Sequence, residues 1–401
     1  MNSKKNLTAR YAVVQGLYWM SYCILGGFAN VYLLAHDFSN TAIGFIVALS
    51  GIISAVISPV IAAYLDRRES MSVKKALTLM SFGMLVLVLL IAVTGRNYIQ
   101  TVVTYTAAMT LIQMMASLLG SLATQSMRSG WSVNYGLARG TGSLTYGLLA
   151  HTLSFLVARF RPDVLPVAAA VIWAVTFFYL YKFPDTKDIS VMYANETQPA
   201  PSARQGGSPI AFFRRYPRYG LFLLGIFFVY ISHAVANVFV TQVVISKGGT
   251  SADTGLILGV QALVEIPVMF GFSKMLKVAK VHSWMRICAI VYVLKIFGTF
   301  AVTTVGGLVA VQFLELGSYA VMVVSSLYYV NSIMRTEDCV KGQSYFGIST
   351  TVANVVASWL GGMMLDAYGV HITLLAGIAV AVLGMVIVFF GAESPKAEIS
   401  V

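Results

Sequence analysis

Residues 73–94 read VKKALTLMSFGMLVLVLLIAVT, and no charged residue follows Lys75 within this run. A helix needs about 20 apolar residues in a row to cross the ~30 Å hydrocarbon core of a bilayer. A strand of a transmembrane barrel would instead alternate apolar and polar residues over about ten positions. Because the run is continuous and does not alternate, it predicts a transmembrane helix.

The rest of the chain repeats this pattern. Of its 401 residues, 58% are hydrophobic and only 10% are charged, whereas about 25% of residues are charged in soluble domains. This composition excludes a soluble fold, and in lipid an apolar stretch must be a helix or part of a closed barrel. Charged residues and Gly/Pro clusters delimit twelve apolar segments: 11–36, 41–65, 73–94, 99–126, 138–159, 163–183, 218–246, 253–275, 282–304, 306–334, 342–368 and 371–392. We therefore predict an all-α membrane protein with twelve transmembrane helices.

One connection between these segments is long and polar. Residues 184–218 contain prolines, glycines and charged residues, a composition typical of a flexible linker. The predicted domains are an N-terminal six-helix half (1–183), a cytoplasmic linker (184–217) and a C-terminal six-helix half (218–401).

The positions of the basic residues predict the orientation. Of 27 lysines and arginines, 21 lie on the side that holds both termini and the linker. The opposite side has Arg96, Arg159, Arg161 and Lys247, and the remaining two, Arg139 and Lys295, lie within or at the edge of spans. Since cytoplasmic loops are enriched in Lys and Arg, we expect both termini in the cytoplasm of a cell whose plasma membrane holds the protein. The formal charge of +12 is then a topology signal, and we expect no nucleic-acid partner.

Four charged residues in the spans are candidates for proton coupling: Glu265, Lys295, Glu315 and Arg139. A charge at mid-bilayer is costly and survives where it faces a cavity or a partner. Glu315 can bind and release a proton if Lys295 approaches it in one conformation and leaves it in another. The alternative is a static ion pair that only holds helices together.

Polar side chains at helical spacing are the candidates for solute binding. Stripes of amides, phenols and carboxylates suit a ligand with many hydroxyl groups, and an aromatic ring can stack on a sugar or a base. The alternative for each residue is a hydrogen bond between helices, worth about 0.6 kcal/mol on average. The candidates are Gln15, Tyr18, Tyr22, Gln113, Tyr230, His233, Asn237, Gln261, Glu265 and Asn354.

Two six-span halves joined by a cytoplasmic linker resemble the major facilitator superfamily, whose halves are related by an axis along the membrane normal. The loop Ala63-Tyr64-Leu65-Asp66-Arg67-Arg68 is similar to the signature Gly-x-Leu-x-Asp-Arg of that superfamily. The resemblance implies a gating role for Asp66, Arg67 and Arg68. The alternative is an ordinary basic cytoplasmic turn.

A second resemblance is to the lactose permease-like oligosaccharide/nucleoside:proton symporters. It rests on residues 135–146, YGLARGTGSLTY, on Glu265-Ile266-Pro267 and on Lys295-Ile296-Phe297-Gly298. It implies that Arg139 bonds sugar hydroxyls, that Tyr146 stacks on the ring, that Glu265 contacts the sugar, and that Glu315 lies near the proton-coupling part of span 10. The span 4 acid that pairs with the arginine in lactose permeases is missing, because residues 114–125 contain no Asp or Glu.

The main hypothesis is therefore proton-coupled import of a small neutral hydroxyl-rich solute, such as a sugar or oligosaccharide, by alternating access. A nucleoside:proton symporter is an alternative, as are a facilitator and a drug:proton antiporter, although residues 139–159 lack the proline typical of antiporters. A membrane sensor or an intramembrane enzyme is a further class, but no catalytic motif falls in the spans. We expect a monomer with no enzymatic activity, no cofactor and no metal, whose partners are the solute, protons and the bilayer.

Overall fold

The computed structural model describes residues 6–67, 71–94, 97–185 and 208–394. Within these ranges the chain is helical, and the isolated bridge between Asn6 and Ser132 is its sole β pairing. The described residues fall into two compact units. Unit 1 comprises those of Met1–Asp37 and Leu49–Gly206, and unit 2 comprises those of Phe38–Ala48 and Gly207–Val401.

Helices α1 to α7 lie within residues 6–185, and α3 begins in unit 2 and continues from Leu49 in unit 1. They are α1 (Thr8–Tyr22), α2 (Ala29–Ala35), α3 (Asn40–Arg67), α4 (Val73–Thr94), α5 (Tyr98–Arg128), α6 (Tyr135–Phe160) and α7 (Val164–Tyr181). The remaining helices all belong to unit 2. They are α8 (Pro209–Arg215), α9 (Pro217–Val238), α10 (Val240–Ser246), α11 (Thr254–Met275), α12 (Val281–Ala301), α13 (Val305–Gln312), α14 (Tyr319–Ile333) and α15 (Thr336–Gly391).

Among the described residues, ten helical segments are long and apolar enough to cross a membrane. One of them is α15, in which Gly369 has φ 74° and ψ 178° and so separates two helices. Helix α6 has 26 residues but is not among the ten; Arg139, Thr141 and Ser143 lower the hydropathy of its first half. The predicted all-α membrane fold is confirmed, and the count of twelve spans stays a prediction.

The helical backbone is interrupted at three places within the predicted spans. A π-helical turn at Cys23–Gly27 separates α1 from α2. Phe239, with φ −105° and ψ 30°, separates α9 from α10. A 3-10 turn at Phe313–Leu316 separates α13 from α14. These interruptions matter for function because the third one contains Glu315.

Glycines set the closest helix packing in unit 2. A Cβ on Gly384 would lie 2.6 Å from the backbone nitrogen of Val229, and one on Gly225 would lie 2.7 Å from that of Val388. Since real Cβ atoms do not approach that closely, α9 and the second part of α15 touch backbone to backbone, as small residues permit in membrane helices.

The start of α3 is capped within unit 2. The carboxylate of Asp366 accepts hydrogen bonds from the backbone N–H groups of Asn40 (3.1 Å) and Thr41 (2.7 Å) and from both of their side chains. The amide of Gln242 donates to Asn40 Oδ1 at 2.7 Å. A carboxylate at a helix N-terminus satisfies orphan N–H groups and complements the helix dipole.

Candidate functional site

The first cluster is a buried ion pair in unit 2, which we call the Glu315 cluster: Glu315, Lys295, Gln261 and Ser318. Glu315 is fully buried and pairs with the ammonium of Lys295, itself buried. Gln261 Nε2 donates to Glu315 Oε1 at 3.0 Å. Ser318 Oγ lies 3.2 Å from Glu315 Oε2 and 3.0 Å from the carbonyl oxygen of Leu314, and its one hydrogen can be donated to either. The structure therefore brings together three of the predicted residues, Glu315, Lys295 and Gln261.

Three elements position these side chains. Glu315 lies in the 3-10 turn, Lys295 near the end of α12 and Gln261 in the middle of α11. The 3-10 turn ends at Gly317, and the Ser318 hydroxyl then lies within hydrogen-bond distance of the carboxylate three residues earlier. The break in the span thus supplies both the acid and one of its hydrogen-bond donors.

The chemistry of this cluster follows from burial. Each charge removed from water costs several kcal/mol, a cost offset only where the pair is close and further hydrogen bonds satisfy the carboxylate. Here both conditions hold, because each carboxylate oxygen has a neutral donor within hydrogen-bond distance and one ammonium balances the charge. Protonation of Glu315 would remove its charge and leave Lys295 unpaired, so proton binding and separation of the pair are linked.

Gln261 also provides an acceptor. Its amide oxygen is buried and receives no hydrogen bond from any described residue. Because buried polar atoms are nearly always hydrogen-bonded, this oxygen is suited to accept from a solute hydroxyl or from water. Glu265 is 7% exposed and follows Gln261 by one turn of α11.

His233 lies in an aromatic group beside the Glu315 cluster. Its ring stacks on Tyr319, with centroids 5.2 Å apart and an interplanar angle of 13°, and meets the edge of Tyr292 at 5.1 Å. Asn237 lies 2.8 Å from His233 Nε2, and the Tyr230 ring is 5.3 Å from the imidazole. Tyr319 directly follows Ser318 in the chain, so His233, Asn237 and Tyr230 lie beside the Glu315 cluster.

The second cluster is in unit 1, and we call it the Arg139 cluster: Arg139, Trp19, Gln15 and Ser143. The Arg139 guanidinium carbon lies 4.1 Å from the centre of the Trp19 ring, and its Nη1 donates to Ser143 Oγ at 3.0 Å. Trp19 Nε1 donates to Gln15 Oε1 at 3.2 Å. Gln15 Nε2 in turn donates to Tyr11 Oη at 2.7 Å. The predicted pair Gln15 and Arg139 is therefore linked through an indole.

Other predicted residues of unit 1 bond within the helical framework. Tyr18 is buried and donates to the carbonyl of Ile112 at 3.1 Å. The side chain of Gln113 bonds those of Ser50 and Ser54, each at 3.0 Å. These contacts are the interhelical hydrogen bonds that the alternative interpretation of the polar stripes predicts.

The remaining predicted residues lie in α1, α6 and α15 and around the end of α3. Tyr22 is half-buried and its ring lies 5.5 Å from that of Trp19. Tyr146 and Asn354 are half-buried. The backbone of Asp66 and Arg67 ends α3, but their side chains and all of Arg68 lie outside the described residues.

Sequence reasoning missed Trp19 and Ser318. Trp19 follows Gln15 by four residues in α1, so the spacing that identified the other polar residues also selects it. The sequence does not single it out, because an indole in an apolar run is equally typical of a lipid-facing position and of a core position. Ser318 would have needed knowledge of the 3-10 turn.

Comparison with known proteins identifies the family. The model described as "MFS_1 like family" matches residues 11–376. The chain belongs to the MFS_1-like family. It is therefore a multi-pass membrane transporter of the major facilitator type and not an enzyme, as the sequence predicts.

Solved structures resemble the whole chain in fold. A variant of the nucleoside transporter NupG matches with a TM-score of 0.82 at 11% identity, covering 97% of this chain and 100% of that one. NupG itself matches with 0.79 at 13% identity, covering 97% and 98%. An inward-facing, unoccupied bacterial homologue of the human lysosomal transporter Spinster matches with 0.68 at 10% identity, covering 96% of each chain. No curated protein matches the chain in sequence.

Proposed function

We propose that this transporter is a proton-coupled symporter that imports a small neutral hydroxyl-rich solute by alternating access, with nucleosides as the first class. The observation that carries the proposal is the buried pair of Glu315 and Lys295 in the interrupted tenth span. Intramembrane ionisable residues mark ion and proton pathways.

The coupling argument is one of charge balance. A buried carboxylate beside one ammonium forms a neutral pair, and any movement that separates the two leaves each charge uncompensated. A proton taken up by Glu315 relieves that cost on the carboxylate. Protonation of Glu315 can therefore drive alternating access with no further charged group to balance the separated pair. We propose Glu265 and Arg139 as further residues in proton coupling.

The proposed solute class rests on the donors and acceptors that each cluster offers when taken by itself. Arg139 supplies a guanidinium, which donates up to five hydrogen bonds, and Gln261 supplies a buried amide oxygen that accepts none from the described residues. Aromatic rings at Tyr230, Tyr319 and Trp19 suit the flat face of a base or sugar. The nucleoside transporter NupG has the same fold, which supports nucleosides as the first class to test.

A sugar or oligosaccharide is the second candidate. It is favoured by residues 135–146, which resemble the sugar-binding stretch of lactose permease-like symporters, with Arg139 and Tyr146 in the corresponding positions.

We further propose a monomer in the plasma membrane with both termini in the cytoplasm and halves at 1–183 and 218–401. Asp66, Arg67 and Arg68 would act at a cytoplasmic gate between spans 2 and 3 in this arrangement.

The test is solute uptake into proteoliposomes with an acidic exterior. Radiolabelled uridine, D-galactose and maltose are offered with the pH gradient, without it, and with a protonophore. The proposal predicts that uridine accumulates only with the gradient. Accumulation of galactose or maltose alone would select the sugar, and equal uptake of uridine with and without the gradient would identify a facilitator. Export of cationic dyes with no uptake of the three solutes would overturn the symporter.

A further inference from the structure

Arg139 is half-buried in α6, the helix of the fifth predicted span. Within the described residues, no carboxylate forms an ion pair with it. Residues 114–125 of the preceding helix, α5, contain no acid either. Since a cation in a membrane span requires compensation, the described groups that stabilise this charge are other than carboxylates.

The indole of Trp19 provides that compensation. The 4.1 Å separation between the guanidinium carbon and the ring centre is well within the ~6 Å range of cation–π attraction, for which Trp is the best ring. A guanidinium stacked on a ring keeps its N–H groups at its edge, whereas a bidentate carboxylate occupies two of them. Ser143 accepts from one Nη atom.

Trp19 is itself held in place. Its N–H donates to Gln15, which donates to Tyr11, whose hydroxyl donates to the carbonyl of Leu119 at 2.9 Å. On the other side the indole fills the space above Gly142, where a Cβ would overlap the ring. The ring is thus fixed by a hydrogen-bond chain and by the absence of a side chain on α6.

We infer that Trp19 is a positioning and specificity-determining residue, whose indole takes the place of a carboxylate and holds the Arg139 fork for two adjacent hydroxyl oxygens of the solute. The inference rests on the proposed function and deepens it, because it assigns a vicinal diol, such as that of a ribose, as the group recognised. A guanidinium fork matches two neighbouring acceptors. A single hydroxyl would leave one of its donors without a partner.

The experiment measures counterflow exchange of uridine and of 2′,3′-dideoxyuridine at symmetrical pH, which does not depend on proton coupling. Trp19→Leu removes the ring, and Trp19→Phe retains it. We expect Trp19→Leu to raise the KM for uridine about tenfold, with kcat little changed. The attraction between Trp19 and Arg139 corresponds to roughly a factor of ten in an equilibrium constant, and its loss releases the guanidinium from its binding geometry. Its preference for uridine over the dideoxy analogue should fall by a similar factor. Trp19→Phe should retain most of both.

A second pair of variants tests the same geometry without altering Trp19. Gly142→Ala pushes the indole away from Arg139 and should reproduce the loss of preference. Gly120→Ala on α5 is the matched control, because nothing lies within 4 Å of a Cβ at that position, and its KM should equal that of the wild type.

The outcomes separate the two proposals. If the wild type exchanges no uridine, the proposed nucleoside function fails, and the role of Trp19 in it fails too. If the wild type exchanges uridine and discriminates against the dideoxy analogue, but Trp19→Leu and Gly142→Ala keep its KM and preference, the inference about Trp19 is wrong while the function stands. A loss of kcat with unchanged KM and preference would likewise overturn the inference, because it would indicate a purely structural role.

Discussion

At the level of single residues, the Glu315 cluster combines a costly buried ion pair with a hydrogen-bond donor near each carboxylate oxygen. Glu315 and Lys295 are each buried, and the two donors near the carboxylate oxygens are neutral. Such a pair contributes little net stability compared with an apolar replacement, but the loss of one member is expensive because it leaves the other charge buried.

This asymmetry predicts a strongly non-additive mutant cycle. Lys295→Met and Glu315→Gln should each destabilise the protein by about 3–5 kcal/mol, whereas the double variant should lie near the wild type. Thermal unfolding of the detergent-solubilised protein measures the three variants. Glu337→Gln is the control, since Glu337 pairs with Arg335 at 3.9 Å on the exposed surface, where such pairs contribute about 0–1 kcal/mol. Additive losses in the double variant would contradict a closed buried pair.

The sequence predicts a functional residue most readily where a charged side chain lies in an otherwise apolar run. Glu315 and Lys295 stand out because charges in apolar runs are rare, and the structure places them together. Trp19 does not stand out, because its indole is compatible with lipid, protein core and cation–π contact alike. Its role depends on Arg139, which is 120 residues away in sequence, and no local pattern links the two.

At the level of helices, the apolar runs predict the elements because lipid permits only helices and closed barrels, and continuous runs of about 20 apolar residues do not alternate as barrel strands do. Most predicted segments agree with the observed helices to within three residues, as for 73–94 and α4. The π turn at Cys23–Gly27 and the 3-10 turn at Phe313–Leu316 were not predicted. Hydropathy is the same whichever hydrogen-bond register the backbone adopts, so it cannot reveal such turns.

A substitution at Gly369 tests the break between the two helices of α15. Its φ of 74° and ψ of 178° fall in a region that is open essentially only to glycine and costs other residues about 1–3 kcal/mol. Nothing lies within 4 Å of a Cβ there, so Gly369→Ala should destabilise the protein through backbone strain alone.

The control is Gly347→Ala in the same helix, where a Cβ is equally free of contacts. Because alanine is the better helix former by about 1 kcal/mol, this variant should be neutral or slightly stabilising in the same thermal unfolding measurement. Equal effects at the two glycines would contradict the break in α15.

At the scale of the whole molecule, fold and family were predictable because twelve apolar segments and a polar linker permit few other arrangements. The packing of residues 38–48 with unit 2 was not, since it involves contacts between residues distant in sequence, such as those of Asp366 and Gln242 with the first turn of α3. Such a contact leaves no periodic signal in either segment.

The orientation of the molecule is a prediction of its own. Because 21 of 27 basic residues lie on one side, the positive-inside rule puts both termini in the cytoplasm. Green fluorescent protein fused after Val401 should fluoresce, and alkaline phosphatase fused there should be inactive. The same reporters fused after Gly248 should give the reverse result. Active alkaline phosphatase after Val401 together with fluorescence after Gly248 would contradict the predicted orientation.

Proton coupling through Glu315 is tested by pH-gradient-driven uridine accumulation in proteoliposomes that contain Glu315→Gln or the double variant with Lys295→Met. We expect both variants to retain counterflow exchange of uridine but no longer to accumulate it when the exterior is acidic. Glu337→Gln should accumulate uridine like the wild type. Accumulation by Glu315→Gln that is undiminished and still abolished by a protonophore would contradict the assignment of the coupled proton to Glu315.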